Sequence, residues 1–271
     1  MKKFSAIHIP PLSFFSKELY SDVALNWRGV NFLYLLLLLA ACWILIMIKV
    51  NNSIARFVNN EAPRIVEQVP KITITNGQAS IDGPQPYYIK KPDSNSVLAI
   101  IDTTGTIKSL DNTGAYCLLT KNALIIRQSD VETRAYSLSQ VKNFVLTSDR
   151  LMKWLQIFKK VFIIVSYPLA LLGSFIFRII QALIYGAIGL LFASWCKIKL
   201  AYDTLIRLSV IAVTPCIIIS TVLLLANVSL PYDILIYFLI AMVYLLFGVK
   251  AAADEIVKQQ QIQPPQQPPV V

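Results

Sequence analysis

Residues 161–196 run for 36 positions with a single charged side chain, Arg178. A stretch so apolar does not form the core of a soluble domain. About 20 such residues already cross a bilayer's hydrocarbon layer as a helix, where every backbone polar group must be bonded internally. The block is therefore one overlong helix or two helices folded back at Arg178, and the two readings put the C-terminus on opposite sides of the membrane. A hairpin finds no Gly, Pro, Asn or Asp beside Arg178 to make its turn, and it carries Lys197, Lys199 and Arg207 outward. One long helix keeps those three cations in a short cytoplasmic loop, as the positive-inside bias requires. At 1.5 Å per residue it reaches about 54 Å against a core of about 30 Å, so tilt, a bend at Pro168 or a projecting end must absorb the excess.

Three further apolar spans, residues 31–48, 208–226 and 234–249, bracket this block in a chain that is 56% hydrophobic with mean hydropathy +0.60. Lys2, Lys3, Lys17 and Arg28 precede the first span and place the N-terminus in the cytoplasm, with no small-residue cleavage site after the span to make it a removed signal. The fold class expected is a membrane α-helical bundle of four spans, five being the alternative, with an inserted extracytoplasmic α+β domain built on an antiparallel sheet. Residues 1–30 form a cytoplasmic segment in which Leu12, Phe15, Leu19, Val23 and Trp27 recur at helical spacing, as in a helix lying in the headgroup plane. Residues 31–49 are the first span, 50–156 the polar domain and 157–250 the remaining three spans. The Gln- and Pro-rich residues 251–271 are a disordered cytoplasmic tail, with polyproline character from Gln259 onward.

Within the polar domain, residues 51–68 carry a helical stripe of Ile54, Phe57, Val58, Ile65 and Val66 despite Pro63. The period then changes to two. Ile72 and Ile74 alternate with threonines, Asn76-Gly77 supplies a hairpin turn, and Ala79 and Ile81 resume the alternation. Further strands are expected over 87–90, 97–102, 116–120, 124–128 and 133–136. Residues 139–146 read as helix and lead through Ser148 and Asp149, a new cap, into a helix that enters the membrane without interruption.

The formal charge of +10 is dispersed: residues 51–160 hold 14 Lys/Arg against nine Asp/Glu, with no basic run interleaved with aromatics. Nucleic-acid binding is excluded on that ground. Cys42, Cys196 and Cys216 lie in or beside apolar spans, which leaves Cys117 alone in the polar domain without a disulfide partner. His8 is the only histidine. No thiolate or imidazole metal site, no Ser-His-Asp set and no close carboxylate pair can be assembled from these residues, so no cofactor or metal is expected and the chain does not read as an enzyme.

Three features remain as candidates. Asp102-Thr103-Thr104-Gly105-Thr106 resembles the phosphorylated aspartate motif of P-type ATPases, but its lysine is replaced by Thr103 and no nucleotide loop accompanies it; a strand ending in a hydrogen-bonded turn explains the same residues. Arg178, with Gln181 and Thr214 as hydrogen-bonding neighbours, is a candidate intramembrane polar site, since an ionised group at that depth needs a partner. Tyr167 is a further possible neighbour. Ala182, Gly186, Gly189 and Ala193 place four small residues on one helix face for close packing within the chain or with a second copy, and Pro215 marks a kink in the third span.

Several phrases together resemble an uncharacterised family of bacterial multi-pass inner-membrane proteins known only as a domain of unknown function. They are Leu19-Tyr20 and Trp27 ahead of the first span, Ile74-Thr75-Asn76-Gly77, Pro86-Tyr87, the turn from Ile101 to Gly105, and Tyr202 through Pro215. The phrase from Leu208 to Pro215 is more remotely similar to the Yip-type membrane proteins, which are usually five-pass. Some relatives of the closer family carry a maltodextrin-utilisation label; Tyr87, Tyr88 and Tyr116 could stack on a sugar, but aromatic strand residues more often belong to a core. The function expected is that of a non-enzymatic membrane protein whose external domain binds a ligand or a partner and is coupled to the helix bundle. A small transporter or transporter accessory, and an assembly scaffold, are the alternatives. The partners expected are the lipid bilayer and a membrane or periplasmic protein or a second copy.

Overall fold

The structure is a computed structural model and describes residues 3–92, 94–129 and 132–262. After a short turn of helix, α1 (Ile9–Leu12), the chain forms α2 (Lys17–Asn26), α3 (Phe32–Arg56), a π-helical turn (Phe57–Glu61) and α4 (Ala62–Val66). Eight strands follow, then α5 (Ser148–Trp195), α6 (Tyr202–Leu225) and α7 (Asp233–Ile262). Among the described residues four helices are long and apolar enough to cross a membrane: Phe32–Val66, α5, α6 and Asp233–Gln261. The block around Arg178 is thus one helix of 48 residues that passes through Pro168. Residues 251–262, expected as the start of a disordered tail, belong to α7, with Ala251, Ala252 and Ala253 buried, and the tail beyond residue 262 lies outside the described residues.

The chain divides into two compact units, one of residues up to Lys49 and from Val165 onward, the other of residues 50–164. In the first, α6 is the centre: nearly every residue from Thr204 to Ile217 is buried. The α2 helix packs against α6 and α7. Ser16 caps it, its hydroxyl accepting from the Leu19 amide at 3.2 Å. Its Leu19, Tyr20 and Val23 are fully buried, and Tyr20 meets Phe247 edge-on at 5.4 Å while its hydroxyl donates to the Ser13 carbonyl at 2.9 Å. The apolar stripe expected to face a headgroup layer is instead largely buried against protein, because α6 and α7 offer it a surface; only Phe15 stays exposed.

The second unit holds two sheets. The first has the order β2–β1–β8, with β1 (Ile72–Thr75), β2 (Gln78–Ile81) and β8 (Asn143–Leu146) antiparallel. At the β1–β2 turn Asn76 and Gly77 both take positive φ, and a side chain at Gly77 would come within 2.8 Å of the Ser139 backbone, so only glycine fits. The second sheet runs β3 (Tyr87–Lys90), β4 (Val97–Asp102), β5 (Cys117–Thr120), β6 (Ala123–Arg127) and β7 (Thr133–Ser137) in chain order. Its β4–β5 pair is parallel, so the single antiparallel sheet expected is corrected to an antiparallel sheet and a mixed one. Residues 139–146 are not helical either: Leu146 and Phe144 stand opposite Ile72 and Ile74 in β1, and that distant pairing overrides the local pattern.

Because β1 follows α4 and β8 precedes α5, their pairing brings the roots of two long helices side by side. Ser148 fastens them, its hydroxyl donating to the Val69 carbonyl at 3.0 Å. Gln68 adds a clamp to the second sheet: its amide donates to the carbonyls of Arg64 and Lys90 at 3.0 Å each and accepts from the Lys90 amide at 2.9 Å.

Candidate functional site

Arg178 lies half-buried on α5 and donates to the Gln181 side-chain carbonyl at 2.5 Å; the Gln181 amide in turn donates to the Tyr185 hydroxyl at 2.8 Å. At i, i+3 and i+7 these groups follow one face of the helix. Thr214 is not part of the line. Its hydroxyl donates to the Val210 carbonyl at 3.1 Å and lies 3.3 Å from the Tyr34 hydroxyl. Tyr167 likewise points elsewhere, to the Ala40 carbonyl at 3.4 Å. Tyr185 and Tyr34, which hydropathy hides among apolar neighbours, are the polar groups that sequence reading overlooked.

Ala182, Gly186, Gly189 and Ala193 are all buried, and α6 is what covers them: a Cβ on Gly186 would sit 3.0 Å from Ile206, and one on Gly189 3.2 Å from Leu205. Pro215 is buried within α6, which continues through it. Gly186→Leu is expected to lower the stability of the detergent-solubilised protein by about 1–3 kcal/mol through overpacking. Gly173→Leu on the same helix, where nothing lies within 4 Å, should leave the melting temperature unchanged.

Arg207, expected in a loop as an orientation signal, is buried in α6, with 3% of its surface exposed. Its guanidinium donates to the carbonyls of Val23 at 2.8 Å, Gly29 at 2.7 Å and Ala24 at 3.3 Å, and to the Thr204 hydroxyl at 3.0 Å. It therefore satisfies carbonyls at the end of α2 that no intrahelical donor reaches. Lys49 treats the end of α6 similarly, donating to the carbonyls of Leu224 and Leu225 at 2.6 and 3.2 Å. Asp22 completes the N-terminal lock, accepting from the Lys3 amide at 2.9 Å, the Phe4 amide at 3.3 Å, the Asn26 amide group at 2.8 Å and the Trp27 indole at 2.8 Å. Burial alone would raise its carboxyl, but these donors outweigh it and hold it below the usual carboxylate range.

An apolar opening lies in the other unit. Between its two sheets lies a cavity of about 370 Å³ lined by 16 residues, all apolar apart from the Cys117 thiol. Ile72, Ile74, Phe144 and Leu146 come from the first sheet, Ile89, Ala99, Ile101, Leu119 and Leu124 from the second. Ile65, Val69 and Leu151 come from the helix roots. Ala99 stands opposite Cys117 in the parallel register, so two small side chains meet on a wall otherwise built of Ile and Leu. That pairing is the one sequence signal for the space, and it requires the register to be known. Burial pushes the Cys117 thiol up, which disfavours its thiolate.

The Asp102 turn lies at the end of β4, with the Asp102 carboxylate buried and Thr104, Gly105 and Thr106 exposed. Its carboxylate accepts from the Thr104 hydroxyl and the amides of Thr104, Gly105 and Ile107 at 2.5–3.3 Å, which starts the crossover to β5. Nothing of it is left to attack a phosphoryl group. Tyr88 and Tyr116 stand exposed, outside the cavity lining, and the cavity offers no hydroxyl or carboxylate to a sugar. Among the described residues no group of three or more His, Cys, Asp or Glu could hold a metal.

A family profile described as "Protein of unknown function (DUF1189)" matches residues 11–249. The chain belongs to the DUF1189 family. The match takes in α2, both sheets and the four long helices of this DUF1189 chain up to the middle of α7. No curated protein and no solved structure matches it.

Proposed function

We propose that this DUF1189 protein is a non-enzymatic integral membrane protein. In this reading its α+β domain lies outside the cytoplasm, holds an apolar ligand between its two sheets and passes occupancy to α3 and α5. The cavity carries the reading. Its volume falls in the usual range for ligand sites, its wall is apolar, and it includes Ile65 and Leu151 at the roots of two helices long enough to span. A ligand that touches those two residues shifts the helices only as far as its contacts differ between their arrangements. Four crossings with both termini cytoplasmic are supported by the unbroken α5 and by Lys197 and Lys199 after it.

Photolabelling of the full chain in nanodiscs with a small neutral alkyl-diazirine alcohol tests this. Saturable labels on peptides carrying Ile74, Leu119 and Phe144, lost in Ala99→Phe, are expected. Labels confined to the long helices would overturn it.

The line Arg178, Gln181, Tyr185 favours a second reading, a small transporter or an accessory to one. On that reading Arg178→Leu abolishes solute uptake in proteoliposomes while leaving the melting temperature within about 2 °C. Unchanged uptake would remove Arg178 from the path. The scaffold alternative loses its motivating feature, since α6 covers the small-residue face within the chain.

A further inference from the structure

We infer that the cavity between the sheets takes the acyl chain of a single-tailed or phospholipid amphiphile whose head is anionic; this rests on the apolar-ligand reading above. The volume of about 370 Å³ is some two and a half times that of an apolar protein cavity that binds benzene, which by proportion is room for roughly a dozen or more carbons. With no polar atom but one thiol in the wall, only hydrocarbon fits without a desolvation cost. The charge around it is predominantly basic. Arg64, Lys71, Lys90 and Arg150 are exposed and each adjoins a lining residue in sequence. Asp102 is the one acidic residue that does so, its carboxylate already engaged by its own turn, while Glu67 and Asp149 lie one position further off.

These cations are also gathered in space. Gln68 ties the backbone of Arg64 to that of Lys90, Val69 leads through Pro70 into Lys71, and Ser148, two residues before Arg150, is bonded to Val69. Their backbones therefore gather near the end of the cavity formed by Val69 and the helix roots. A carboxylate or phosphate group meets Lys and Arg there while its tail enters between the sheets.

The test uses the full chain in nanodiscs and four probes: the neutral diazirine alcohol, a photoactivatable fatty acid added from solution, the same acyl chain on phosphatidylglycerol in the disc, and unlabelled fatty acids of rising length as competitors. Labelling of cavity peptides by one or both anionic probes is expected, and which one labels identifies the source. Competitor affinity should rise about fourfold per methylene and then level off. Lys71→Glu with Arg150→Glu should cut anionic labelling at least tenfold and leave the alcohol unaffected. Because those variants can disturb folding, the rate of Cys117 alkylation, read by peptide mass in the unmodified sequence, gives a second measure; fatty acid should slow it at least fivefold. If the alcohol labels the cavity but neither anionic probe does, the acyl inference fails and the apolar-ligand reading stands. If nothing labels the cavity and Ala99→Phe raises the melting temperature, the space is a packing void and both fail.

Discussion

Replacing Arg207 with leucine is expected to destabilise the helical unit by about 3–5 kcal/mol, the largest effect of any single substitution in it. The guanidinium has three carbonyl partners and one hydroxyl, and leucine leaves the carbonyls of Val23, Ala24 and Gly29 without that donor in a buried setting. Lysine keeps the charge but has no planar fork to reach three carbonyls at once, so Arg207→Lys should recover less than half of the loss. The measurement is thermal unfolding in detergent, together with protease access to residues 3–30. A melting temperature within 1 °C of the parent for Arg207→Leu would show that α2 is held by its apolar face alone.

Asp102→Ala is expected to cost the α+β domain about 1–3 kcal/mol, since three backbone amides and a hydroxyl lose their buried acceptor. This residue also sets an acid limit. Burial alone would raise its carboxyl, but the Thr104 hydroxyl and the amides of Ile107, Thr104 and Gly105 bring it below its ordinary value. A carboxyl whose folded pKa lies below the unfolded value of about 3.9 binds fewer protons when folded. Its stabilisation is therefore complete above that value and declines as pH falls through the folded pKa. Domain stability should hold between pH 5 and 7 and fall below about pH 4. Asp102→Asn, uncharged throughout, should start lower and show a flatter acid slope. An identical slope in parent and variant would move the acid sensitivity to another carboxylate.

What was legible in the sequence is what local spacing controls. Alternation at Ile72 and Ile74 with the Asn76-Gly77 turn places a hairpin within a residue of where it forms, and 87–90 and 97–102 coincide with β3 and β4. The single long helix through Arg178 could be read because no turn residue adjoins that position. Residues 143–146 were misread because their strand character comes from β1, some 70 positions earlier. The parallel β4–β5 pair is equally non-local. Arg207 was misread for a different reason: a cation beside an apolar span looks the same whether it faces water or caps a helix. The cavity was the least legible, for each of its residues reads as core until the register sets Ala99 against Cys117.

The bond from Arg207 to the Val23 carbonyl spans 184 residues. Ribosomes add about 5–20 residues per second, so the last turn of α2 is made on the order of ten to forty seconds before its donor exists. During synthesis the N-terminal segment therefore waits, with Leu19, Tyr20 and Val23 uncovered, while the first two of the four long helices are made. The chain closes its beginning only near its end. A truncation before residue 207 leaves that segment as an exposed apolar tail, which gives quality-control proteases a mark by which to tell an unfinished molecule from a finished one.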